Sequence, residues 1–176
     1  DAARALERLA EMAKMLEETG LAAGVATAGG GGTLAGMGIA CGDLDGDGRP
    51  DLFVTNFFGE STTFYQNLGG GFFADHSAAV GLASPTRDLL GFGLVLIDAD
   101  NDGRLDLLSA NGHVNDGRPQ FPWMMPPQLL NMRPSGRFVD GGAAAGEVFQ
   151  ASHLGRGLVA GDLDHDGRVD ALLVAQ

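Results

Sequence analysis

The chain has 176 residues, 44% of them hydrophobic, enough for one ordinary core and the balance of a soluble globular protein. Against 11 Lys and Arg stand 23 Asp and Glu, a formal net charge of −12, which argues against nucleic acid and anionic membrane as partners. Cys41 alone permits neither an internal disulfide nor a Cys-rich zinc site, and no apolar run is long enough for membrane insertion.

In chain order, Leu6, Leu9, Met12 and Leu16 are spaced along one helical face, which predicts a short α-helix within residues 1–20 that stops near Gly20. Residues 21–35 read as a Gly-rich linker, with Gly29 to Gly32 as its flexible joint, and no chemistry is assigned to either segment. The chain opens on Asp1 and a charged segment, where a signal peptide would have a basic start and an apolar stretch, and with no initiator Met the upstream sequence is expected to be absent.

From residue 36 onward the sequence repeats itself. Gly36-Met-Gly38 leads into Asp43-Leu-Asp45-Gly-Asp47-Gly48-Arg49-Pro-Asp51, Gly91-Phe-Gly93 into Asp98-Ala-Asp100-Asn-Asp102-Gly103-Arg104-Leu-Asp106, and Gly155-Arg-Gly157 into Asp162-Leu-Asp164-His-Asp166-Gly167-Arg168-Val-Asp170. The loops start 55 and then 64 residues apart. Between them a second block recurs, Tyr65-Gln-Asn67 with Phe73-Ala-Asp75 and Gly81, then Leu129-Leu-Asn131 with Phe138-Val-Asp140 and Gly146. Each unit therefore predicts four short strands: one before the acidic loop, one after it, a third ending at Asn and a fourth at Phe. Four strands in a unit of this size make a propeller blade, so residues 36–176 are expected to be all-β, about three four-stranded antiparallel blades in an incomplete ring. The longer second spacing reflects an insert from Asn111 to Gln128 that carries Pro119, Pro122, Pro126 and Pro127. Phe53, Phe73, Phe92 and Phe138 are expected to pack between blades, and the glycines before each loop to let inner strands crowd together.

The chemistry lies in the loops. Twelve of the 23 acids fall in three nine-residue windows, and so many carboxylates in a short loop repel unless a cation is present; three divalent ions would bring −12 to −6. The pattern Asp-x-Asp-x-Asp-Gly-x-x-Asp presents Asp43, Asp45 and Asp47, then Asp98, Asp100 and Asp102, then Asp162, Asp164 and Asp166 as oxygen ligands. The backbone carbonyls of Arg49, Arg104 and Arg168 would add one more each, and Asp51, Asp106 and Asp170 would close the shells. Calcium, about three ions at one per loop, suits six to eight oxygens, whereas magnesium demands strict octahedral geometry and keeps its waters. An EF-hand needs Glu at position 12 and flanking helices; here that position is Val54, Ser109 and Leu173, within β-leaning flanks. The competing reading, plain Asp-Gly turns, fits one copy better than three that keep all four acids. Asp116-Gly-Arg118 lacks the preceding acids and reads as such a turn.

These residues resemble FG-GAP or VCBS-type repeats, the calcium-loop blades also found in integrin α-subunit propellers. Leu52-Phe-Val-Thr-Asn56, Tyr65-Gln-Asn67 with Phe73-Ala-Asp75, and Ala110-Asn-Gly-His113 followed by Gln128-Leu-Leu-Asn131 are similar to the ASPIC/UnbV group, the cartilage-acidic-protein-like proteins. The resemblance spans residues 36–176 and implies a propeller of about seven blades, extracellular or envelope-associated. About three blades cannot close a ring, so the rest of a propeller or a homo-oligomer is expected to cover the open edges.

Catalytic motifs are missing: the chain holds no G-x-S-x-G, H-E-x-x-H, G-x-x-x-x-G-K-[ST] or G-x-G-x-x-G. Three equivalent acidic sites along a scaffold favour structure over a single open metal site for catalysis. The expected function is thus a non-catalytic calcium-binding scaffold for protein or glycan interaction or adhesion. The alternative is a propeller platform of a polysaccharide-active or other hydrolytic enzyme, with its site in loops near His113 or in further sequence. His113 opens the insert that holds Trp123, Met124 and Met125, which read either as a ligand groove or as cover for a blade's hydrophobic edge.

Overall fold

The computed structural model describes residues 34–176; the helix expected within 1–20 and most of the expected linker lie outside the described residues. The fold is all-β, in propeller-like blades. Strands β1 (Gly38–Gly42), β2 (Asp51–Thr55), β3 (Thr63–Gly69) and β4 (Phe72–Asp75) form one antiparallel sheet in sequential order. Strands β5 (Gly91–Ile97), β6 (Asp106–Asn111), β7 (Gln128–Met132) and β8 (Phe138–Asp140) repeat that arrangement. A helical turn α1 (Gly142–Ala145) and a 3-10 turn at Glu147–Phe149 lead to the antiparallel pair β9 (Gly155–Gly161) and β10 (Asp170–Ala175).

The first strand of each unit lies beside that of the next, β1 against β5 and β5 against β9. The Gly-x-Gly pairs explain how. A Cβ on Gly38 would lie 1.8 Å from the carbonyl oxygen of Phe92, and one on Gly93 would lie 2.6 Å from the amide nitrogen of Leu158, so only glycine permits this approach. Thr55 joins the seam, its Oγ1 accepting the Gly38 N–H at 2.9 Å.

The second strand of each full blade is buried on both faces, which is why Leu52-Phe53-Val54 and Leu107-Leu108 are apolar without alternation. Phe53 and Phe64 from the first blade meet Leu94, Leu107, Leu130, Met132 and Phe138 from the second, with Leu82 of the connecting segment sealing the cluster. Phe53 stacks on Phe64 at 4.8 Å and takes the edge of Phe138 at 6.1 Å, the inter-blade packing expected of Phe53 and Phe138. Phe73 instead lies on the opposite face, with Leu52, Val54 and Tyr65. Phe92 sits under the Arg156 guanidinium, 4.5 Å from ring centroid to Cζ.

The register corrects the alignment of the second block. Leu52 pairs with Tyr65 and Leu107 with Leu130, so Gln66 is the counterpart of Asn131, and Asn67 that of Met132. Phe73 and Phe138 remain equivalent, facing Asn67 and Met132. Matching the two Asn residues by type shifts the third strand by one, because identity of residue does not encode which amide faces which carbonyl. The third strand also runs past Asn67 to Gly69 in the first blade and past Asn131 to Met132 in the second.

The insert joins β6 to β7, with Asn111 and Gln128 themselves in strands. It folds back through isolated bridges of Gly112 to Met124 and Met125 to His153. His113, where the insert opens, is 3% exposed: its ring stacks on Phe121 at 4.0 Å, with Phe57 and Phe58 at its flanks. Met125 is buried and its Sδ accepts the Leu90 N–H at 3.2 Å, whereas Met124 is exposed.

Three acidic loops as a candidate metal centre

Each loop connects the first and second strands of its unit, at residues 43–50, 98–105 and 162–169. The first Asp folds the loop around itself. Asp43 Oδ1 accepts the N–H groups of Gly46 and Asp47 at 2.8 and 3.0 Å, and its Oδ2 accepts that of Gly48 at 2.8 Å. Asp98 takes the N–H groups of Asp102 and Gly103, each at 2.9 Å, and Asp162 those of Asp166 and Gly167 at 3.1 and 3.0 Å. Two left-handed residues make this turn possible: position 4 is Gly46, Asn101 or His165 at φ 75°, 57° and 63°, and position 6 is glycine at φ 86°, 85° and 85°. Asn at position 4 tolerates that conformation, so the Gly-Asn-His variation has a conformational constraint that residue types alone disguised.

The last Asp of each loop opens the second strand, as its position in the repeat implied. Asp51 Oδ2 accepts the Leu44 N–H at 2.9 Å, Asp106 Oδ2 that of Ala99 at 3.1 Å and Asp170 Oδ2 that of Leu163 at 2.9 Å. These bonds pull the closing carboxylate back over the loop. Asp51 and Asp106 are 1% and 0% exposed.

As a result Asp43, Asp45 and Asp51 bring carboxylate oxygens within 4.8 Å of one another, as do Asp98, Asp100 and Asp106, and Asp162, Asp164 and Asp170. Oxygens bound to one ion at about 2.4 Å lie no farther apart than about 4.8 Å, so each triad fits a shared hard cation. Burial raises the Asp51 carboxyl above its ordinary value, with Asp45 and Asp47 adding to the rise and the Asn67 and Leu44 amides opposing it. Asp100 is raised first by desolvation in its loop, then by Asp102, Asp106 and Asp98.

Asp47, Asp102 and Asp166 are not in these triads. Each pairs with the arginine two residues on, Arg49, Arg104 or Arg168. The Arg168 hydrogen bond holds the Asp166 carboxyl below its ordinary value. In the two full blades the same arginine reaches the third strand: Arg49 Nε donates to the Asn67 carbonyl at 2.9 Å and Arg104 Nε to the Met132 carbonyl at 3.2 Å. Sequence reasoning gave these arginines a backbone role alone. It also missed the carboxamides of the third strand, where Gln66 Nε2 donates to Asp45 Oδ2 at 2.6 Å and Asn131 Nδ2 to Asp106 Oδ2 at 2.9 Å. The signal lay in the register, which makes Gln66 and Asn131 equivalent. The Asp116–Arg118 turn is a local ion pair at 2.8 Å and belongs to none of the acidic groups.

Residues 43–109, spanning the first two loops, match the family described as FG-GAP-like repeat. Cartilage acidic protein 1 of Mus musculus is 33% identical over 77 residues, which cover 44% of this chain and 12% of that protein.

Proposed function

We propose that this chain, whose residues 43–109 are FG-GAP-like repeat sequence, is a calcium-stabilised interaction scaffold without catalytic activity of its own. The observation that carries the reading is the threefold recurrence of a carboxylate triad at the same place in each unit. Calcium would supply positive charge where the loop and the second strand converge. Asp43, Asp45 and Asp51 and their counterparts would hold it, with Asp47, Asp102, Asp166 and the carbonyls of Arg49, Arg104 and Arg168 as the remaining ligands. An all-oxygen set of this size favours calcium over magnesium. The chain's own contribution is preorganisation: the amides gathered by the first Asp and the single amide held by the last fix the loop before any ion arrives.

In this reading the exposed loops meet a protein or glycan, and the excess of acid argues against nucleic acid. Among the described residues no helix is long and apolar enough to cross a membrane. An extracellular or envelope location accords with the repeat type, and millimolar calcium there matches extracellular modules.

Calorimetric titration of chelator-treated protein tests the reading. Uptake of about three calcium ions is expected, together with a higher melting temperature in calcium than in chelator. Absence of both would refute it. A panel of glycans and esters is expected to show no turnover; turnover that disappears in His113→Ala would establish the catalytic alternative.

A further inference from the structure

The insert between β6 and β7 is tied down at both ends. The Gly112 N–H donates to the Leu90 carbonyl at 3.0 Å, Asn111 Nδ2 to the Pro126 carbonyl at 2.9 Å, and Arg156 to the carbonyls of Gly112 and His113 at 3.1 and 2.8 Å. The His113 N–H meets the Trp123 carbonyl at 2.8 Å beside the Gly112–Met124 bridge, which makes His113 and Trp123 cross-strand neighbours. Gly117 lets the tip fold over them, since a Cβ there would lie 1.9 Å from the Phe121 ring that stacks on His113. The insert joins the second strand to the third, so it lies at the end of the blade away from the acidic loop, which joins the first to the second.

Inside this frame the bonding of His113 is incomplete. Its Nδ1 lies 3.2 Å from the Asn115 amide nitrogen and 3.1 Å from the Asn115 carbonyl oxygen, so that nitrogen is engaged in either tautomer. Its Nε2 makes no hydrogen bond among the described residues, and the neighbouring rings of Phe57, Phe58 and Phe121 are phenyl groups with no polar atom to offer. A side chain so buried ordinarily has both nitrogens satisfied, and a ligand would repair the deficit. Close by, Arg118 forks onto Asp116 at 2.9 and 2.8 Å and lies over Trp123, 5.3 Å from Cζ to the ring centroid. These two are the only Asp, Glu, Lys or Arg within residues 112–127, and the Arg118 side chain, 61% exposed, keeps donor capacity beyond the fork.

We propose that His113, Asn115, Trp123 and the Asp116–Arg118 pair form a binding subsite for an uncharged sugar, a neutral hexopyranose unit of a glycan. The inference rests on the scaffold reading, whose partner it names. The indole offers a flat apolar surface for the C–H face of a pyranose ring, while His113 Nε2, the Asn115 carboxamide and the outer edge of the Asp116–Arg118 fork are matched to its hydroxyls. A charged ligand would find no unmatched countercharge in the insert, because its one acid and one base already neutralise each other. The ties at both ends hold these groups in place beforehand, so little ordering remains to oppose binding.

Trp123 is the single tryptophan of the chain, so intrinsic fluorescence reports on this place alone. The full chain is titrated with neutral hexasaccharides of glucose, mannose, galactose and N-acetylglucosamine, and with a hexasaccharide of galacturonic acid. A saturable fluorescence change with at least one neutral hexasaccharide, without its cleavage, is the expected result, with no response to the acidic one. By calorimetry, Arg118→Ala, at an exposed side chain, should weaken that binding about tenfold without harming the fold. His113→Phe, which keeps a ring in the aromatic stack and removes Nε2, should weaken it at least as much. Calcium uptake by the same samples should be the same in both variants as in the parent chain, so a failure at this end is distinguishable from a failure of the scaffold reading. No saturation by any neutral hexasaccharide overturns the proposal whatever the calcium uptake, as do undiminished binding in both variants and tighter binding of the acidic hexasaccharide.

Discussion

Asp51 and Asp106 each do two jobs with one carboxylate. They hold the loop amide with Oδ2, hold the third strand with Oδ1, and still lie within reach of the other two members of their triad. A raised Asp51 pKa means that the ion-free folded state binds a proton more readily than the unfolded chain. For this group, stability in chelator therefore rises as pH falls through the raised value and stops rising below the unfolded carboxylate value, about 3.9. Asp166 has the opposite sign: its lowered pKa contributes stability above the unfolded value that is lost on acidification, and its exposure keeps that contribution small. Thermal melts of chelated protein between pH 7 and pH 4 should show the first effect, and Asp51→Asn should flatten it. If the triads hold calcium as proposed, the trend in calcium should reverse, because protons would compete with the ion for the same oxygens. The acids themselves were evident from their spacing. Their hydrogen-bond partners on the third strand were not, since Gln66 and Asn131 differ in type and lie 21 and 25 residues from the acids they meet.

At the scale of elements, the strands followed from pattern because each was short, apolar and bounded by Asp, Gly or Asn. The Gly-x-Gly expectation also held, and it makes a steep prediction. Gly38→Ala drives a Cβ against a backbone carbonyl, which cannot swing aside as a side chain would. A loss of about 3 kcal/mol in urea unfolding is expected, at the upper end of overpacking. Gly161→Ala serves as the control, since a Cβ there meets nothing within 4 Å, and its midpoint should be nearly unchanged. Phe53→Ala removes the ring shared between blades and should cost about 3–5 kcal/mol in the same assay. The insert was the least legible element. Its prolines marked irregular backbone, but nothing in their spacing shows that Met125 pairs with His153 from beyond β8, or that Phe121 closes over His113.

For the molecule as a whole, charge is the governing quantity. A formal charge of −12 falls to −6 with three divalent ions, so repulsion within the chelated form should make its melting temperature more sensitive to added monovalent salt than that of the calcium form. Melts in chelator and in calcium across a sodium chloride series check this, with the larger rise expected in chelator. The blade architecture was visible in the sequence because a repeat multiplies every weak signal. What the repeat could not convey was how one unit meets the next, and there the glycine seam is informative. With backbone laid close to backbone at Gly38 and Gly93, successive units have little freedom to hinge there. Molecules gripped at two different blades would then be kept at a constant separation, as marks on a ruler are, and a pull on one would be felt at the other with little slack.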